Sequence, residues 1–151
     1  MKIKEFRQKL AEADEGFSFV EIIASLSIML ILSATVAFSA IKYIDRARHT
    51  AVLTQISSFR SALQAYYLDC GSYPTDAQGL GALWEKPYFS PVPAGWNGPY
   101  TESEIGTDPW GNEYAYKTPG SNGLPFEIIS YGSDGKEGGE GNAADIISWK
   151  K

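Results

Sequence analysis

From Ile22 to Ile41 the chain runs through 20 residues without a charge, and its apolar positions do not keep to one side. Ile22, Ile23, Leu26, Ile28, Met29, Leu30, Ile31 and Leu32 leave no polar face on a helix, so such a helix needs apolar surroundings all round. At 1.5 Å per residue the stretch reaches about 30 Å, the depth of a bilayer's hydrocarbon core. The pattern predicts a membrane helix over residues 17–41. A secretory signal fits less well, because its apolar region is usually about 7–15 residues long and ends in a small-residue cleavage site. Ala37-Phe38-Ser39-Ala40 is a poor site of that kind. Lys2, Lys4, Arg7 and Lys9 before the stretch balance Lys42, Arg46, Arg48 and Arg60 after it, so flanking charge does not decide orientation.

Beyond the apolar stretch the pattern changes period. Val52, Ile56, Phe59, Leu63, Tyr66 and Cys70 recur at alternating spacings of four and three, which is a single helical stripe. Gly71 and Pro74 stop it. No breaker lies between stripe and membrane segment, so one helix of roughly 50 residues is predicted, amphipathic over 42–71. The remaining residues, 72–151, form a head that holds all eight prolines and thirteen of the fifteen glycines, with Gly71 at its entrance. Gln78-Gly79-Leu80 opens a short helix through Trp84. Residues 87–99, rich in proline and aromatics, read as an ordered loop. The runs 113–117 and 126–131 alternate at period two around Ser121-Asn122-Gly123, which predicts a β-hairpin whose apolar face covers the helix stripe. Trp84, Trp96, Trp110 and Trp149 are expected to build the small core. The fold class is α+β.

Composition narrows the chemistry. The 151 residues carry a net charge of −5, and residues 42–151 hold nine Lys/Arg against thirteen Asp/Glu. An acidic head does not bind nucleic-acid backbones. One cysteine and one histidine permit neither an intrachain disulfide nor a zinc site of Cys and His ligands. Any nucleophile–base pair using histidine has only His49, which weighs against an enzyme. Cys70 reads as a small hydrophobe at the end of the stripe. His49, on the opposite face, reads as solvated.

The entrance to the apolar stretch carries more information. A polar leader over 1–16 ends in Gly16, and Phe17-Ser18-Phe19-Val20-Glu21 follows at once. A carboxylate at the membrane edge is costly unless it reaches the headgroups or meets a cation. This signature resembles the prepilin signal of type IV pilins and type II secretion pseudopilins. The resemblance implies that a prepilin peptidase cuts between Gly16 and Phe17 and that Phe17 is N-methylated. Glu21 would then meet the α-amino group of a neighbouring subunit's Phe17 and set register in a filament. The chain has Leu30 and Phe38 where many members have glycine and proline.

Residues 130–149 hold the last motif. Five glycines fall within 132–141, and Asp134, Glu137, Glu140 and Asp145 lie within a dozen residues. Calcium takes six to eight oxygens in flexible geometry, and such a loop supplies carboxylates and carbonyls. The spacing is not that of an EF-hand, and acidic glycine loops are usually just solvated; the residues by themselves leave both readings open.

Tyr67 to Thr75, Gln78-Gly79-Leu80, Asp108-Pro109-Trp110-Gly111-Asn112-Glu113-Tyr114 and Ser130 to Gly135, with Asp145, Ile146 and Trp149, resemble in order the major pseudopilin of type II secretion systems. The resemblance implies one calcium in the C-terminal loop, held by Asp134, Asp145 and the carbonyl of Tyr131, with Glu140 and Ser148 as further candidates. It also implies a single-pass inner-membrane protein with a periplasmic head, polymerising with itself into a filament that drives protein export. Its partners would be minor pseudopilins, the prepilin peptidase, the inner-membrane secretion platform and membrane lipid. Two alternatives share parts of this pattern: a type IV major pilin for adhesion or motility, and a membrane-tethered calcium-binding domain that never polymerises.

Overall fold

The computed structural model describes residues 16–149, so the leader expected over 1–16 lies, but for Gly16, outside the described residues. The chain divides between Tyr43 and Ile44 into two units. Helix α1 (Phe19–Cys70) spans 52 residues, close to the length that its uninterrupted pattern predicts.

In the first unit Glu21 occupies the first turn of α1, where the helix dipole favours an acid. Among the described residues it has no hydrogen bond or ion pair. The large apolar side chains from Phe17 to Ile41 for which burial is described are exposed, Leu30 at 71%. Two polar side chains of this stretch turn back on the helix: Ser27 Oγ donates to Ile23 O (2.8 Å) and Thr35 Oγ1 to Ile31 O (2.9 Å). Hydroxyls satisfied within their own helix are compatible with lipid, where backbone and side chain alike must find internal partners. By length and composition this helix is long and apolar enough to cross a membrane.

The second unit is built on the stripe. Val52, Ile56, Phe59, Ala62, Leu63 and Tyr66 are buried and Cys70 packs against them. Gly71, at φ 75°, ends the helix and donates its N–H to Tyr67 O (2.8 Å), a left-handed cap that glycine adopts without steric cost. Thr75 and Gln78 then form a reciprocal box: the Thr75 N–H donates to Gln78 Oε1 (3.0 Å) and the Gln78 N–H to Thr75 Oγ1 (3.3 Å). That box leads into a 3-10 turn, Leu80–Leu83, which places Leu80, Ala82 and Leu83 in the core.

Strands β1 (Ala115–Lys117), β2 (Glu127–Ser130) and β3 (Ile146–Ile147) form an antiparallel sheet in the order β1-β2-β3. Ala115 faces Ile129, and Ile129 faces Ile147. The predicted hairpin is present with shorter strands, and Ser121–Gly123 forms a 3-10 turn inside its connection. Alternation at period two predicts one solvated face for β2, yet all four of its residues are buried. The strand is central, and Glu127 keeps a partner because Ser121 Oγ donates to its carboxylate (2.7 Å).

Of the four tryptophans, Trp96, Trp110 and Trp149 pack against the core, but Trp84 is exposed. It caps the 3-10 turn just after Leu83, and the three buried residues of that turn already occupy its core-facing side. Trp96 Nε1 donates to Ala82 O (2.9 Å) and Trp149 Nε1 to Phe126 O, so these two half-buried indoles find acceptors. Phe59 meets Tyr114 edge-on at 5.2 Å.

Two outcomes follow from this packing. Leu63→Ala should cost about 2–5 kcal/mol in denaturant unfolding of the detergent-solubilised chain, and Leu68→Ala, whose side chain is exposed, almost nothing. Burial pushes the phenols of Tyr66 and Tyr114 up to about 12 from their ordinary 10, aided by the neighbouring Cys70 and Asp108 respectively. A raised phenol pKa adds stability that is complete below pH 10 and is lost as pH climbs toward 12. The melting temperature should therefore fall across that window, and Tyr66→Phe/Tyr114→Phe should flatten the fall.

Candidate metal loop and assembly surface

The C-terminal loop is built on a buried carboxylate that sequence reasoning passed over. Asp108 is 4% exposed. Its Oδ1 accepts the N–H groups of Trp110 (3.0 Å) and Asn112 (2.9 Å), closing the Asp-Pro-Trp-Gly-Asn turn on itself. Its Oδ2 accepts Ser130 Oγ–H (2.7 Å), and Ser130 Oγ in turn accepts the Gly132 N–H (3.4 Å). From the same turn, Asn112 Nδ2 donates to Gly132 O (2.7 Å). Both main-chain groups of Gly132 are thereby held at the start of the 3-10 turn Gly132–Asp134. The family motif had marked Asp108, Asn112 and Ser130 as a resemblance only; a charged residue followed by Pro-Trp-Gly was the available signal for a turn with a job.

The glycines make the approach possible. Gly135, at φ 65°, lies against Asn112, and a Cβ there would come within 2.8 Å of the Asn112 amide oxygen. Gly132, at φ 62°, faces the carbonyls of Asn142 and Ala144 so closely that a Cβ would sit 2.7 Å from the first. Main-chain oxygens of residues 142–144 thus crowd the turn that carries Asp134.

The expected ligands are placed as follows. Asp134 is exposed, with Oδ1 accepting the Lys136 N–H (3.1 Å). Asp145 is half-buried; Oδ2 accepts the Gly138 N–H (2.9 Å), while Oδ1 is buried with no hydrogen-bond partner. Tyr131 leads directly into the turn at Gly132. Glu140 is exposed at the start of a second 3-10 turn, Gly141–Ala143. Ser148 is committed to the sheet: its N–H donates to Ile128 O (2.9 Å) and its Oγ accepts the Ile128 N–H (3.1 Å). Among the described residues no three His, Cys, Asp or Glu side chains gather as a group that could hold a metal. Carboxylates alone therefore do not build a site, and a cation here would draw on main-chain oxygens as well. A buried carboxylate oxygen without a donor is costly, and a hard cation is one partner that would satisfy it. The donor set fits calcium: two carboxylates, several carbonyls and a glycine-rich backbone.

The second candidate region, Gly16, Phe17 and Glu21, stands at the start of α1, with Phe17 79% exposed. The carboxylate of Glu21 has no cation in its own chain among the described residues. Its side chain and the surrounding apolar surface are open to a neighbour.

Comparison with known proteins shows what the chain is similar to. The sequence model of the family described as type II secretion system (T2SS), protein G, matches residues 39–149. Type II secretion system core protein G of Pseudomonas aeruginosa is 42% identical over 134 residues, 89% of this chain and 94% of that protein. The protein of the same name from Vibrio cholerae is 37% identical, covering 89% of this chain and 90% of its own. Among solved structures, the major pseudopilin from the type 2 secretion system of enterohaemorrhagic Escherichia coli superposes with a TM-score of 0.62 at 34% identity. That match covers 72% of this chain and 92% of the other.

Asp108→Ala removes three charge-assisted hydrogen bonds at once and leaves the Trp110 and Asn112 amides without an acceptor. It should cost about 3 kcal/mol in thermal unfolding and speed amide exchange at Trp110, Asn112 and Gly132.

Proposed function

Because the chain belongs to the type II secretion system protein G family, the major pseudopilins, we propose that it polymerises into a periplasmic pseudopilus that drives protein export across the outer membrane. The observation that carries this reading is the uncovered apolar half of α1, whose one acid, Glu21, has no partner in its own chain among the described residues. A helix with no polar face is stable in lipid or in a bundle of its own kind. Moving from one to the other exchanges lipid contacts for packing between copies, so a subunit can leave the membrane for a filament without exposing apolar surface to water.

Cleavage between Gly16 and Phe17 would create an α-amino cation at the membrane edge, N-methylated on Phe17. Glu21 lies one helical turn further on, and the cation of an adjacent copy would neutralise it. An ion pair in a low-dielectric bundle is favourable only when both partners meet, so it selects one axial register. The prepilin peptidase, minor pseudopilins and inner-membrane platform are the partners of this scheme. The head would face the periplasm from a single-pass anchor in the inner membrane. The chain acts as a structural subunit, with the work of assembly supplied from outside it.

Calcium in the loop over 130–149 completes the proposal. Asp134, Asp145 and the Tyr131 carbonyl would hold it, with Glu140 near enough in sequence to contribute and Ser148 turned to the sheet. Bound there, the ion would supply positive charge to a loop whose acids otherwise repel. The Asp108–Ser130–Gly132 chain would hold the first ligand turn, and the freed glycines would otherwise gain entropy.

Glu21→Ala should abolish filaments released from the periplasm while membrane insertion persists; normal filaments from the variant would overturn the role given to Glu21, and no filaments from the unaltered chain would favour a tethered domain that never polymerises. Calcium at about 100 times its dissociation constant should add about 2.7 kcal/mol to the full chain in detergent, a rise on the order of 10 °C over a chelator control. Asp134→Ala/Asp145→Ala should remove that rise. No rise in the unaltered chain would end the calcium proposal and leave the family assignment unchanged.

A further inference from the structure

The head carries two unassigned surfaces, an apolar groove and an exposed aromatic loop. The first is a groove of about 550 Å³ beside the N-terminal part of the head's helix, lined by Leu53, Ile56, Ile146, Ile147 and Trp149. Arg60 forms its polar wall: the guanidinium lies 4.2 Å from the centre of the Trp149 ring, Nη1 donates to Ser148 O (3.5 Å), and Nε has no partner. Among the described residues Arg60 makes no ion pair. His49 stands at the same groove, and Asp145 lies at the end shared with the metal loop.

The second surface is a knob. Tyr88 is 88% exposed and stacks edge-on against Phe89 at 5.3 Å, with Val92 beside them, also exposed. Large aromatic and aliphatic groups set out together in this way mark a contact surface. Pro87, Pro91 and Pro93 restrict the loop, and Gln78 Nε2 donates to both Pro91 O (2.8 Å) and Phe89 O (3.4 Å). A side chain already held in place loses little freedom on binding. Glu85 and Lys86 flank the knob, exposed and without ion pairs among the described residues.

The contacts of the neighbouring chain place the knob toward the far end of the helix from the groove. Gly95, just past the knob, packs on the carbonyl of Asp69, where a Cβ would come within 2.1 Å. Leu53 in the groove is sixteen residues earlier on the same helix, a rise of about 24 Å. A knob at one end and a socket at the other make a heterologous contact, which repeats into an open filament rather than closing a dimer.

We propose that the Tyr88–Phe89 knob of one copy seats in the Leu53–Trp149 groove of the next, with Glu85 meeting the unpaired Arg60. This contact rests on the self-assembly proposed above and specifies which surfaces of the heads join. The occupant is a second copy because the knob supplies both the apolar bulk that the groove accepts and the acid that its arginine lacks. The aromatic pair would carry most of the contact energy, as buried aromatic anchors do.

Two full-length chains with different tags, both Cys70→Ala, test it when co-expressed in cells that assemble the filament. One carries Leu53→Cys and the other Lys86→Cys, and a short bis-maleimide is added to filaments released from the periplasm. The mixed-tag dimer should form at several-fold higher yield than with Leu68→Cys in place of Leu53→Cys. Equal yields, or co-purifying tags with no cross-link, would overturn the contact while leaving assembly intact. If unaltered copies with different tags never co-purify, the assembly reading fails and takes this contact with it. Should the cysteine pair not assemble, Tyr88→Ser/Phe89→Ser decides. Filament recovery should drop about tenfold with an unchanged melting temperature; undiminished recovery would refute the contact.

Discussion

One helix carries two different surfaces, one apolar all round and one apolar on a single face, and the rest of the molecule follows from that. Between residues 22 and 41 the side chains of α1 are apolar on every side, and from Val52 to Cys70 they are apolar on one. A helix is the one open-ended element whose backbone groups are satisfied within the segment, so it can pass from one medium to the other without an unpaired N–H or C=O. Ser27 and Thr35 keep to the same rule by returning their hydroxyls to the preceding turn. The uninterrupted pattern serves both units: one half is a candidate membrane anchor, and the other half is the template on which the head condenses.

The head could not stand without that template. Its strands are three, four and two residues long, and a sheet of that size has too little apolar area to be stable alone. The helix stripe supplies the missing layer, joined by Leu80, Leu83, Phe126, Ile128 and Ile146. With so small a core, polar contacts do much of the specifying. The chain from Asp108 through Ser130 to Gly132 ties the turn after Trp110 to the loop proposed to bind calcium, and its members are buried where water cannot substitute. The same economy explains why Ser148 serves the sheet: its hydroxyl and N–H extend the pairing of a two-residue strand by one more residue.

Polymerisation, as proposed, asks little new of this design. The apolar half of α1 and the acid Glu21 would provide attraction and register in the bundle, and the head would add a directional contact at its rim. Because the knob and groove lie at opposite ends of the head, each added copy would leave a fresh socket exposed, and growth would be polar.

Sequence alone determined the elements whose signals are local and periodic. Twenty uncharged residues marked the candidate membrane segment, spacings of three and four marked the buried stripe down to Cys70, and Gly71 marked its end. The Ser121-Asn122-Gly123 turn marked the hairpin, and motif resemblance marked the family. Tertiary structure decided what depends on partners distant in the chain. Trp84 falls outside the core because Leu80, Ala82 and Leu83 fill the inner side of its turn. All four residues of β2 are buried, the central strand of the sheet, although the sequence alternates. Asp108 is buried against Ser130, 22 residues away, and Arg60 reaches Ser148 across 88. A repeating pattern records which face of an element is apolar, whereas a buried carboxylate or a guanidinium laid on an indole is defined by the atoms the fold brings beside it. Only the folded chain holds that information.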